Sequence, residues 1–157
     1  MTKTEYDYII VGAGSAGAVL ANRLSESGEY KVLCLEAGTE GSSYFWSRVP
    51  IGMAKLINRP AVNWCFSSEP DEGSGGRRIP IPRGKMLGGS SSINGMVFVR
   101  GQPQDYDHWA QLGNRGWSYS DVLPIFKKME SYDGGSNETR GRDGILRVTD
   151  ESPDICP

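Results

Sequence analysis

Histidine is nearly missing from this chain: His108 is the only one in 157 residues. The three cysteines, Cys34, Cys65 and Cys156, are far apart, with no CxxC and no Cys/His cluster. That spacing excludes a zinc site and a disulfide framework, and no metal ligand is assigned. It fits a reducing cytoplasm. Cys34 falls in an apolar strand pattern, where a thiol is expected to be a small buried hydrophobe. Long apolar runs are also missing. None approaches the roughly 18 residues of a transmembrane helix. Tyr6 to Val11 is too short for a secretory leader and runs into glycine. Asn137-Glu138-Thr139, a glycosylation sequon, is therefore read as accidental. No strong charge of one sign exists either: the net charge is −2, with both signs interspersed. This excludes a basic face for nucleic acid or an anionic membrane. Arg77-Arg78 and Lys127-Lys128 read as solvated pairs, and there is no internal repeat.

Glycine is what the chain has, 21 of them. The N-terminal part reads Tyr8-Ile9-Ile10-Val11-Gly12-Ala13-Gly14-Ser15-Ala16-Gly17. Tyr8 to Val11 is a short apolar run rich in β-branched residues, expected to be a strand buried on both faces. A helix is expected from about Ser15 to Ser27, with Ala18, Ala21 and Leu24 toward the sheet and Gly28 as its stop. A second strand, Lys31 to Leu35, ends on Glu36-Ala37-Gly38. Gly12 permits the turn, Gly14 lets backbone approach a pyrophosphate, and Gly17 lets helix and strand pack closely. The N–H groups at Ser15 and Ala16 open the helix toward that pyrophosphate. Glu36 stands 19 residues after Gly17, where an acid accepts from ribose hydroxyls and repels the 2′-phosphate of NADP. Strand, glycines, helix, strand and acid in this order predict a Rossmann-like α/β domain that binds a dinucleotide. They do not distinguish FAD from NAD.

A second glycine-rich stretch runs Arg83-Gly84-Lys85-Met86-Leu87-Gly88-Gly89-Ser90-Ser91-Ser92-Ile93-Asn94-Gly95-Met96-Val97. Gly88 and Gly89 remove side chains beside a phosphate or ring, and the serines add donors. This stretch resembles the signature of the glucose–methanol–choline (GMC) oxidoreductases, and Phe98, Gly101 and Asp107 continue the match. Asn63-Trp64 with Glu69-Pro70, Gly116-Trp117-Ser118-Tyr119, and Gly141 to Val148 resemble the same family. The likeness is greatest to bacterial choline and alcohol dehydrogenases.

The resemblance implies a GMC-type FAD-binding domain, incomplete, at residues 1–140, with the beginning of a substrate-binding domain at 141–157. It implies FAD contacts at Gly12, Gly14, Ser15, Ala16, Gly17, Glu36, Ala37, Gly38, Gly84, Met86, Gly89 and Ser91, and along the isoalloxazine at Asn94, Gly95, Met96 and Val97. Trp64 reads equally as a flavin neighbour or a core aromatic. Some relatives tether FAD through a histidine where this chain has Ile93, so the cofactor is expected to be non-covalent. The implied activity is FAD-dependent oxidation of the CH–OH group of a small-molecule alcohol. The family's catalytic base is expected beyond Pro157, in the remaining C-terminal part or a second chain. No catalytic residue is assigned here, and the chain alone is expected to be inactive. A flavin lyase or photodecarboxylase relative, and a non-catalytic flavin-binding module, are the alternatives. His108 reads as a surface or packing residue. Asp105 to Leu112 and a Ser118-x-x-Asp121-capped stretch through Met129 are expected helices.

Overall fold

Apolar strand residues, glycine and a helix-forming run give the expected βαβ start. A computed structural model describes residues 4–40, 44–134 and 137–150. Cys156, Gly41 and residues 135–136 lie outside them. The chain forms two compact units, Met1–Val97 and Phe98–Pro157.

In the first unit, β1 (Tyr8–Val11) pairs in parallel with β2 (Val32–Leu35), Ile9 opposite Leu33. The helix α1 (Ser15–Ser25) crosses between them. It stops two residues before the expected Ser27, and Gly28, at φ +73°, donates its N–H to the Ser25 carbonyl at 3.0 Å. Gly17 is where α1 meets the strand: a Cβ there would sit 1.9 Å from the Gly12 carbonyl oxygen. Strand side chains alternate between faces. Ile10 turns toward α1 and is buried, whereas Val11 is 84% exposed. β1 is thus covered on one face only, not on both as its apolar run predicts. Cys34 is exposed too, not the buried thiol expected. The reason is the same for both: among the described residues this sheet has only two strands, and α1 covers one side.

A small core lies beside this sheet. Leu56 from the short α2 (Met53–Leu56), Val62, Met86 and Ile93 pack together, with Tyr44 against them. The short strands β3 (Phe66–Ser67) and β4 (Pro80–Ile81) pair antiparallel. Single bridges join Thr39 to Met86 and Asn63 to Gly84. The second glycine stretch is therefore threaded between the end of β2 and the segment before β3.

The second unit holds α3 (Pro103–Gln111), α4 (Tyr119–Met129), β5 (Glu130–Tyr132) and β6 (Leu146–Val148). Pro103 opens α3, where its missing N–H costs nothing. Ser118 and Asp121 form the expected capping box of α4: the serine hydroxyl accepts from Asp121 N at 3.3 Å, and the aspartate from Ser118 N at 3.1 Å. Tyr106 packs edge-on against Trp109 and Phe126. The C-terminus of α4 delivers Glu130, which is fully buried. Arg100 lies 2.6 Å and Arg140 3.3 Å from its Oε1, which also accepts from Gly141 N at 2.8 Å. The sequence signals nothing of this cluster, because its members are far apart in the chain.

Candidate functional site

The chemistry-bearing residues of the first unit converge where β1 and β2 end. In parallel α/β sheets the carboxyl ends of the strands form the ligand crevice. Val11 and Leu35, the last residues of the two strands, open a cleft of about 940 Å³. Of the residues expected from the sequence, Gly12, Gly14, Ser15, Ala16, Gly17, Glu36, Ala37, Trp64, Gly84 and Gly89 line it.

The two glycine loops meet inside this cleft. Gly88 N donates to the Ala13 carbonyl at 2.9 Å. A Cβ on Gly89, which has φ +58°, would lie 2.8 Å from Gly14 Cα. Gly89 is thus required twice, for its left-handed backbone and for the close approach of the loops. Gly12, at φ +93°, makes the turn out of β1. Gly14 is the N-cap of α1 and has no side-chain cap, so the helix opens with free N–H groups facing the cleft.

Glu36 is half-buried and held at both oxygens. Oε2 accepts from Ala13 N at 2.8 Å and Oε1 from Gly38 N at 2.9 Å. Its carboxylate braces the first glycine loop against the end of β2, a role its spacing does not reveal. Each oxygen keeps a further lone pair for a hydroxyl donor.

The other expected residues serve elsewhere. A Cβ on Gly38 would sit 1.9 Å from the Lys85 carbonyl oxygen, and one on Gly84 2.1 Å from that of Gly89. These two glycines let chain segments pass each other, although Gly84 also reaches the cleft. The Met86 side chain is in the core, with no exposed surface. Ser91 Oγ donates to the Gly88 carbonyl at 2.7 Å, a bond local to the loop. Asn94 Oδ1 accepts from Met96 N at 2.9 Å, holding Met96 at φ +59°. Gly95, Met96 and Val97 are exposed. None of Gly38, Met86, Ser91, Asn94, Gly95, Met96 and Val97 is among the cleft walls. Ile93 packs in the core.

Trp64 is half-exposed at the cleft, not a core aromatic. It stacks on Phe66 with ring centroids 5.9 Å apart and planes 3° from parallel. The Lys85 ammonium lies 4.7 Å from the Trp64 ring centre, a favourable cation–π position. Phe66, Arg83 and Ser90 also line the cleft and were missed from the sequence. The two-residue spacing of Trp64 and Phe66 could have signalled a shared side. Arg83 directly precedes Gly84 and brings a positive charge. His108 is exposed on α3 in the second unit, as expected. No group of three or more His, Cys, Asp or Glu that could hold a metal occurs among the described residues. No helix among them is long and apolar enough to cross a membrane.

Comparison with known proteins agrees with this architecture. The chain is 49% identical over 144 residues to the oxygen-dependent choline dehydrogenase of Brucella anthropi, covering 92% of this chain and 26% of that protein. It is 51% identical over 141 residues to the enzyme of the same name from Vibrio vulnificus, covering 90% of this chain and 25% of that one. The structure of pyridoxine 4-oxidase from Mesorbium loti superposes with a TM-score of 0.84 at 35% identity, over 91% of this chain and 28% of that one. The chain therefore spans about a quarter of the length of the curated relatives it matches. The family model described as GMC oxidoreductase matches residues 6–157. With its parallel βαβ start and paired glycine loops, this chain belongs to the GMC oxidoreductase family.

Proposed function

We propose that the protein is an FAD-dependent oxidoreductase acting on the CH–OH group of an alcohol, and that the cleft of the first unit holds its FAD non-covalently. One observation carries the cofactor reading. The protein's own packing demands glycine at 17, 84 and 89, but not at 14. A Cβ at Gly14 would meet only Gly89 Cα, at an ordinary 3.8 Å, and its φ of −75° suits any residue. The space left by the missing side chain lies at an uncapped helix N-terminus in the cleft. That fits a pyrophosphate approaching the backbone.

The roles of the chain's residues follow. The N–H groups at Ser15, Ala16 and Gly17 bind the pyrophosphate, and Arg83 adds positive charge beside it. Glu36 accepts from ribose hydroxyls with its free lone pairs and repels a 2′-phosphate, which favours FAD over NADP. Trp64 and Phe66 wall the cleft and shield it from water. Asn94 to Val97, exposed in this unit, are assigned to the flavin ring by resemblance. Ile93 has no nucleophilic atom and packs in the core, which supports a non-covalent cofactor. FAD, when bound, supplies the two-electron acceptor for alcohol oxidation. The choline and pyridoxine in the relatives' names are both alcohols. We assign no catalytic base to this chain, and residues 141–157 to the start of a substrate-binding domain. The exposed free thiols Cys34 and Cys65 support a reducing cytoplasm.

The test is the purified full-length protein. It should be yellow, with a flavin spectrum that bleaches on anaerobic addition of an alcohol substrate. Flavin that never bleaches with any alcohol would favour a lyase or a binding module. A colourless protein that takes up no FAD, yet binds NADPH, would refute the cofactor reading.

A further inference from the structure

Asn63 is 2% exposed and is not among the walls of the cleft, yet its amide ties three segments together. Oδ1 accepts from Cys65 N at 3.0 Å and from Arg83 N at 2.9 Å. Nδ2 donates to the Ile57 carbonyl. All of these side-chain amide bonds go to backbone, and the Asn63 carbonyl in turn accepts from Cys65 Sγ at 3.5 Å.

What these bonds hold is unusual. Cys65 sits at φ +53°, the left-handed region an L residue enters at a cost. The Asn63-to-Cys65 bond is an Asx-turn, a local device that sustains such backbone. Cys65 stands between Trp64 and Phe66, the stacked pair on the cleft wall. Trp64 N in turn donates to the Arg83 carbonyl at 2.9 Å. One buried amide thus governs the backbone beneath three cleft residues: Trp64, Phe66 and Arg83.

We propose that Asn63 is a positioning residue of the cofactor cleft: by holding Cys65 in left-handed backbone, it fixes the Trp64–Phe66 pair in the geometry that receives FAD. This rests on the reading of the cleft as an FAD site. Asn63 touches no cofactor, so its effect must travel through the backbone it holds, at Cys65 and at Arg83. Glycine adopts φ +53° unaided, so Cys65→Gly makes the Asx bond dispensable.

The experiment compares the full-length wild type with Asn63→Ala, Cys65→Gly and the double variant. FAD affinity is read by flavin-fluorescence titration of the apoprotein, and the ring's surroundings by visible circular dichroism of bound flavin. Asn63→Ala should weaken FAD binding about tenfold or more, as expected for stranding buried hydrogen-bonding groups. Cys65→Gly alone should bind as the wild type does. The double variant should recover the part of the lost affinity that runs through Cys65 and move the dichroism toward the wild type, while Arg83 N and the Ile57 carbonyl stay without the amide. If Asn63→Ala binds FAD normally, or if Cys65→Gly recovers nothing, the proposal is overturned.

Two further arms keep the result decisive. Should Asn63→Ala not fold, Asn63→Ser replaces it, since its hydroxyl forms only a weaker turn bond to Cys65. The same rescue by Cys65→Gly is then expected. Should the wild type bind no flavin, the FAD reading fails by itself, and unfolding midpoints decide the link between Asn63 and Cys65. Cys65→Gly should raise the midpoint of Asn63→Ala more than that of the wild type. Equal shifts would overturn the link.

Discussion

Gly14→Ala and Gly17→Ala, two substitutions three residues apart, should fail in opposite ways. At Gly17 the new Cβ would lie 1.9 Å from the Gly12 carbonyl oxygen and 3.3 Å from Ile10 Cγ2. Ordinary contact begins near 3.4 Å, so α1 must move off β1 by about 1.5 Å, and overpacking of that kind costs about 3 kcal/mol or more. At Gly14 the nearest atom is 3.8 Å away. Two small folding effects oppose each other there. Alanine narrows the unfolded ensemble, worth about 0.4–1 kcal/mol. It is also a poorer N-cap than glycine, by a similar amount. Net stability should change by no more than about 0.5 kcal/mol. The added methyl nevertheless occupies the space assigned to the pyrophosphate, so FAD affinity should fall at least tenfold, about 1.4 kcal/mol. Urea unfolding of the full-length apoprotein and FAD titration of the same preparations separate the two outcomes. Gly14→Ala with wild-type FAD affinity would refute the placement of the pyrophosphate. Gly17→Ala with wild-type stability would refute the packing argument.

Three further outcomes are expected. Acid precipitation of the full-length protein should release its flavin into the supernatant, because Ile93 offers no tether; flavin retained in the pellet would show a covalent link elsewhere. Glu130→Gln should destabilise by about 3–5 kcal/mol, since it strands two largely buried guanidiniums, Arg100 and Arg140; an unchanged unfolding midpoint would contradict this. Tyr132 donates its phenol proton to Asp150 Oδ2 at 2.9 Å, and chiefly that bond raises its pKa above the ordinary 10.0. The associated stability is therefore full below pH 10 and is lost as pH rises through the raised value. Tyrosinate absorbance should show Asp150→Asn returning the titration toward 10, and no change would refute the assignment.

Much of the fold was legible because its signals are local. The strand Tyr8–Val11, the helix from Ser15, the glycine stop at Gly28 and the Ser118–Asp121 capping box depend on residues a few positions apart. Hydrogen bonds and dihedral preferences at that range are written in the residues themselves. The family signature was legible for the same reason, since it runs along one short stretch.

The sequence by itself determined the βαβ fingerprint, the acid at position 36 and the second glycine loop. Only the tertiary structure decided what each does. It separated glycines that the protein's own packing requires, such as Gly17 and Gly38, from Gly14, which it leaves open. It placed Met86 and Ile93 in a core, brought Phe66, Arg83 and Ser90 to the cleft, and turned Glu36 into a brace between loops. It left Val11 and Cys34 exposed where an apolar run predicts burial, and it buried Glu130 between two distant arginines. These outcomes depend on contacts between residues far apart in the chain. Residue type and local spacing carry no record of such contacts until the backbone brings them together.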